Sequence, residues 1–126
     1  MSDIEADLPV FLTKVQFFSE VSKTSLSNLS KNIEVETYYR NDPIIKKGDI
    51  GDAMYAILDG EVKVHEGQHN FGELTQGECF GEYALIDDET RSASVTAVKE
   101  TKVAKIDREH FLDLMKKDKG FAQGVL

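Results

Sequence analysis

Ala53-Met54-Tyr55-Ala56-Ile57-Leu58-Asp59-Gly60-Glu61-Val62-Lys63-Val64-His65 is the stretch on which the fold is decided. An unbroken apolar run ends at Asp-Gly, and a segment of alternating apolar and polar residues follows. A short continuous apolar run bounded by a turn signal reads as a buried strand, and strict alternation reads as a half-buried one. Gly adopts positive φ without steric cost, so Asp59-Gly60 predicts a β-hairpin joining the two strands.

The same grammar extends in both directions. Further strands are predicted at 33–39, 43–47, 70–74, 91–97 and 101–106. They are separated by Arg40-Asn41-Asp42, Lys47-Gly48-Asp49, Glu66-Gly67 and Gln76-Gly77. Seven or eight short strands at close spacing predict a sandwich or small barrel such as a jelly roll. Outside the 33–107 core the period changes. Leu8, Phe11, Leu12 and Val15, then Leu26 and Leu29, recur at helical spacing, with Ser22 and Thr24 as N-cap candidates. Two or three short helices are predicted over 8–32. C-terminal helices are predicted over 108–126, with Asp107 as N-cap, a buried stripe of Phe111, Leu112, Leu114 and Met115, and a stop at Lys119-Gly120. The expected architecture is mainly β with flanking helices, in one domain over 1–126.

Composition narrows the function. The formal net charge is −8 and the sequence contains one cysteine, Cys79. No internal disulfide is possible, and Cys79 is expected to act as a small core hydrophobe. An acidic chain without a segregated basic face repels the phosphate backbone of DNA. No apolar run approaches the roughly 20 residues of a membrane span. The acidic start, Met1 to Asp7, lacks the basic region of a secretory signal. A soluble, cytoplasmic protein that does not bind nucleic acid directly is expected.

Phe80-Gly81-Glu82-Tyr83-Ala84-Leu85-Ile86-Asp87-Asp88-Glu89-Thr90-Arg91-Ser92-Ala93-Ser94-Val95 interrupts the strand pattern. Glu82 to Leu85 is enough for one helical turn directly after a glycine, and the N–H groups at a helix start favour an anion. Gly81 allows a ligand to come close. Arg91 offers a bidentate fork to a phosphate, with the Ser92 hydroxyl beside it. Glu82 can accept hydrogen bonds from a sugar hydroxyl. These residue types in this order describe a pocket for a phosphorylated ribose, with Arg91 paired to Glu82 or the neighbouring acids when the pocket is empty.

This stretch resembles the phosphate-binding cassette of the cyclic nucleotide-binding domain family, found in catabolite activator proteins, protein kinase A regulatory subunits and gated ion channels. Residues 43–62, with glycines at the expected turns, resemble that family's first strands, and 12–21 resemble its entry helix. The resemblance implies a regulatory domain rather than an enzyme, with a cyclic nucleotide as ligand, cAMP favoured over cGMP, and no further cofactor. It implies that Glu82 accepts from the ribose 2′-OH and that Arg91 pairs with the cyclic phosphate. The N–H groups of Tyr83 and Ala84 would face the phosphate, and Gly81 would line the ribose. Ser92 would bond the phosphate or the base edge, and Ala93 would give a backbone contact. Tyr83 departs from the aliphatic residue usual at its place. Signalling is expected through repacking of the C-terminal helix, onto an effector fused to or partnered with this chain. A fold of this kind that does not bind, serving as a protein interaction module, is one alternative. A cupin-like metal enzyme using His65, His69 and Glu73 is another, although Gly67 sets a turn between the two histidines.

Overall fold

The computed structural model describes residues 7–85 and 90–125. Asp87, Asp88 and Glu89 lie outside the described residues, as do Ile86, the first six residues and Leu126. The described residues begin with α1 (Leu8–Leu12), a 3-10 turn (Gln16–Phe18) and α2 (Lys23–Ser30). Eight strands follow: β1 (Glu34–Tyr38), β2 (Pro43–Ile45), β3 (Ala53–Asp59), β4 (Glu61–Glu66), β5 (His69–Thr75), β6 (Cys79–Phe80), β7 (Ser94–Ala97) and β8 (Thr101–Asp107). A second 3-10 turn (Glu82–Leu85) lies between β6 and β7, and α3 (Arg108–Lys117) and α4 (Lys119–Val125) end the described chain. The strands form two antiparallel four-stranded sheets, ordered β1-β8-β3-β6 and β2-β7-β4-β5. The fold is therefore mainly β with flanking helices, as the sequence predicts.

Strand β3 explains the unbroken apolar run. Alternate residues of a strand face opposite sides. Met54, Ala56 and Leu58 pack into one core with Leu12, Phe18, Leu26, Leu85, Phe111 and Phe121. Tyr55 and Ile57 pack into a second core with Ile45, Val62, Phe80, Val95 and Val103. Helices cover the outer face of the first sheet and the second sheet covers its inner face, so β3 has no wet side.

The Asp59-Gly60 hairpin is not formed. β3 pairs with β6 and β8, whereas β4 pairs with β5 and β7. Asp59-Gly60 is instead a corner where the chain leaves one sheet for the other. Gly60 has φ +109, and the Thr101 backbone presses against it. The hairpin of this region is β4–β5, turning at Gly67 with Glu66 opposite His69. Only Ser94–Ala97 of the predicted 91–97 strand is a strand, because the Arg91 backbone bonds elsewhere, as described below.

Ser22 caps α2, its Oγ accepting from the Ser25 amide at 3.2 Å. The C-terminal helices break at Asp118 rather than at Lys119-Gly120, and Gly120 lies inside α4. Asp118 Oδ1 accepts from the Phe121 amide at 3.0 Å, and its Oδ2 accepts from the buried Ser25 hydroxyl at 2.8 Å. These two donors hold the Asp118 carboxyl below the usual carboxylate range. Phe121 is fully buried and lies between Phe18 and Phe111. Leu112, predicted to be buried, is 37% exposed, because it sits about 100° around the helix from Phe111.

A Cβ at Gly60 would lie 2.5 Å from Thr101 Oγ1 and 2.6 Å from Thr101 Cα, in addition to the strain of positive φ. Gly48 has φ +94 with nothing within 4 Å of such a Cβ. Gly60→Ala is expected to lower unfolding stability by about 3 kcal/mol, and Gly48→Ala by about 1–2 kcal/mol. Urea unfolding of the two variants checks the difference.

Candidate functional site

The site forms where β7 leaves the sheet. Arg91 is held by its backbone before its side chain is considered: its N–H donates to the Asp49 carbonyl at 2.7 Å, and its carbonyl accepts from the Gly48 N–H at 2.9 Å. Ile50 and Thr90 form an isolated bridge beside this pair. The loop after β2 therefore takes the role a neighbouring strand would have taken, and residues 91–93 swing away to border a cavity.

That cavity has a volume of about 380 Å³ and is lined by Gly81, Ala84, Thr90, Arg91, Ser92 and Ala93 together with Ile45, Val64, Phe80 and Val95. Of the described residues that line it, Arg91 alone carries a charge. A mostly apolar pocket with one cation fits a ligand with a flat apolar body and an anionic end. The guanidinium is half-buried, and it does not pair with Glu82. Nη1 donates to the Gly81 carbonyl at 3.2 Å and Nη2 to the Ala53 carbonyl at 2.7 Å. Neutral carbonyls orient the group without neutralising its charge.

Two glycines make room for it. A Cβ at Gly81 would lie 2.8 Å from Arg91 Nη1, and Gly81 has φ +78. A Cβ at the buried Gly51 would lie 2.5 Å from Arg91 Cζ, 2.6 Å from Nε and 2.8 Å from Nη1.

The predicted site residues do not all meet here. Gly81, Ala84, Arg91, Ser92 and Ala93 line the cavity. Tyr83 contributes its backbone to the 3-10 turn. The Ala84 N–H, predicted to face the ligand, donates to the Gly81 carbonyl at 3.1 Å. Glu82 lines a different cavity, of about 290 Å³, with Gln16, Phe17, Glu78 and Cys79. Its Oε2 is buried there with no hydrogen-bond partner. Burial, reinforced by the Glu82 carboxylate, pushes the Cys79 thiol up to about 12, so this thiol remains protonated at neutral pH.

The apolar lining and Gly51 escaped the reading of the sequence. Val64 was nevertheless findable, since it shares a face with the core residue Val62 two positions earlier, and it pairs with Val95. The turn Glu82–Leu85 joins the cavity to the helical layer. Ala84 lines the cavity, Leu85 packs in the core that holds Phe111 and Phe121, and α3 touches the turn.

His65 is fully engaged. Its Nδ1 lies 2.9 Å from the Gly67 carbonyl and its Nε2 lies 2.8 Å from Thr96 Oγ1. The His69 ring packs edge-on against Phe71. Among the described residues, no three metal-ligating side chains converge. No helix among them is long and apolar enough to cross a membrane.

The chain matches the family described as the cyclic nucleotide-binding domain over residues 35–118. It is 36% identical over 99 residues to a cGMP-dependent protein kinase of Toxoplasma gondii, covering 79% of this chain and 10% of that protein. It is 33% identical over 109 residues to a cAMP-dependent protein kinase regulatory subunit of Dictyostelium discoideum, covering 80% of this chain and 33% of that one. The chain thus spans a minor part of the length of these curated relatives. Among solved structures, its fold is like that of the regulatory domain of Toxoplasma gondii PKA with cAMP, with TM-score 0.79 and 21% identity over 93% of this chain and 47% of that one. It is also like the Thermus thermophilus catabolite activator protein, with TM-score 0.75 and 27% identity over 86% of this chain and 54% of that one. With two antiparallel sheets, a cassette turn after β6 and a half-buried arginine at the cavity, this chain belongs to the cyclic nucleotide-binding domain family.

Proposed function

We infer that this chain is a regulatory domain that takes a cyclic nucleotide monophosphate into the 380 Å³ cavity, with cAMP favoured over cGMP. The observation that carries this reading is the Arg91 guanidinium, fixed by two carbonyls and set in an otherwise uncharged cavity. The cyclic phosphate meets Arg91, whose charge no described acid neutralises. The base lies against Val64, Ile45 and Val95, and Gly81 borders the ribose. Ser92 and the backbone of Ala93 supply hydrogen bonds at the phosphate or base edge, and the backbone of Tyr83 and Ala84 shapes the turn around it.

Glu82 reaches the ribose 2′-OH by leaving the second cavity. Its Oε2 has no protein partner there, so the move gives up no protein hydrogen bond at that atom and gains one; a buried unsatisfied acceptor costs about 1–3 kcal/mol. The signal leaves through the Glu82–Leu85 turn. A shift of Ala84 towards ligand carries Leu85, and with it the packing of Phe111 and Phe121. The relatives are longer proteins with kinase or regulatory names, which supports an effector outside this chain as the recipient.

Thermal unfolding with millimolar cAMP, cGMP and 5′-AMP tests binding. Ligand at about a hundred times its Kd is expected to add roughly 2.7 kcal/mol, an upward Tm shift of several degrees. The shift is expected with cAMP, less with cGMP and not with 5′-AMP. No shift with any of the three removes the binding reading and leaves the interaction module.

Arg91→Ala is expected to weaken cAMP binding by at least about thirtyfold, close to 2 kcal/mol. An unchanged Kd in calorimetry places the phosphate elsewhere. Amide exchange on residues 108–125 with and without cAMP checks the helical response, and identical protection sinks the signalling claim while leaving binding intact.

A further inference from the structure

We propose that Gly51 is a positioning residue for the phosphate-binding arginine: the space left by its missing side chain sets where the Arg91 guanidinium stands. The proposal rests on the reading of Arg91 as the phosphate partner. Gly51 has no place in the family cassette, lies forty residues before Arg91 in sequence, and does not line the cavity.

The argument is steric. The three heavy atoms nearest to a Cβ at Gly51 all belong to Arg91, at 2.5, 2.6 and 2.8 Å. Contacts that short do not persist, so one partner must shift. Gly51 has little freedom to yield, because it is buried and its loop is fastened on both sides. Upstream, Gly48 and Asp49 bond the Arg91 backbone. Downstream, the Asp52 carbonyl accepts from the Arg108 amide at 2.8 Å, and Ala53 enters β3. The guanidinium must therefore move. It is held by Nη1 to Gly81 and Nη2 to Ala53, and the second acceptor lies only two residues from Gly51. Both bonds are made with the fork close against the backbone of Gly51 and Gly81, where a Cβ would overlap it. A methyl group at 51 lifts the fork off Ala53 and turns it away from the orientation it presents to the cavity. The requirement for glycine here concerns space rather than backbone conformation, in contrast to Gly81 and Gly60, whose φ values are positive.

A double-mutant cycle tests this. cAMP binding by calorimetry and ligand-free thermal unfolding are measured for the parent, Gly51→Ala, Arg91→Ala and the double variant. Gly51→Ala is expected to weaken cAMP binding by about tenfold in the parent, a coupling typical of residues in contact. In the Arg91→Ala background the same change is expected to have no further effect on Kd. Without ligand, Gly51→Ala is expected to lower Tm in the parent and to leave it unchanged when Arg91 is already alanine. A merely structural glycine would lower Tm equally in both backgrounds, and that result overturns the proposal. Equal cAMP affinity of parent and Gly51→Ala also overturns it, as does a double variant in which the two losses multiply. If Gly51→Ala does not fold and the double variant does, the steric origin is supported directly; if neither folds, the Cβ clashes with something other than Arg91 and the proposal fails. If the parent binds no cyclic nucleotide, the proposed function falls and the claim that Gly51 tunes binding falls with it. The ligand-free Tm cycle then separates a correct steric relation from a wrong ligand.

Discussion

A strand in a two-sheet protein ordinarily keeps one face for water or for the core between the sheets. Strand β3 gives neither face to water, and the remaining layers are arranged around that constraint. Met54, Ala56 and Leu58 require a helical cover, which α1, α2, α3 and α4 provide; Tyr55 and Ile57 require the opposing sheet. A three-layer arrangement of helices, sheet and sheet is the compact solution for such a strand. The cavity is a by-product of the same geometry. It opens where β7 leaves the second sheet and the inner core runs out of side chains, so Ile45, Phe80 and Val95 serve both the core and the cavity wall.

Chemical recognition then needs few further residues. The arginine is supplied by a segment whose backbone is bonded to the loop after β2, and its fork is satisfied by carbonyl oxygens at the start of β3 and at Gly81. The orientation of the site is thus tied to the most buried strand. The Glu82–Leu85 turn packs against the same strand through Leu85. It places one side chain in each compartment, and it holds a carboxylate oxygen that lacks a partner. The two features differ in kind: the arginine fork is anchored by two carbonyl oxygens, whereas Glu82 Oε2 is buried without a partner.

Much of this was legible in the residues. The apolar run, the alternation in Val62-Lys63-Val64, the helical spacing of Leu8 and Leu12 and the Ser22 cap each correspond to an observed element, because each depends on neighbours close in sequence; Val15, at the same spacing, is extended and lies beyond the end of α1. The failures have a common cause. Asp59-Gly60 reports that the chain must turn with positive φ, but not that the two flanking strands will enter different sheets. The strand predicted from Arg91 begins only at Ser94, because the hydrogen-bond partners of the Arg91 backbone lie more than forty positions away in a loop. The side chain of Glu82 can point to either of two cavities, and pattern does not choose between them. Gly51 is one glycine among several turn glycines until Arg91 is placed beside it.

The corner at Gly60 also bears on how the molecule assembles. Because β3 and β4 part company there, β4 and β5 are the one pair of strands consecutive in sequence that also pair in space among those described. Every other ladder joins distant segments, down to Glu34 opposite Lys105, which unites the beginning and the end of the β region. Closing such loops costs entropy before any contact repays it, and chains dominated by non-local pairing fold in milliseconds to seconds rather than microseconds. The β4–β5 hairpin is thus the natural early structure, and the first sheet, whose centre is the doubly covered strand, cannot be completed until β8 has been made. During synthesis the helices before β1 and β3 itself must wait, with their apolar faces uncovered, for a strand that begins only at Thr101.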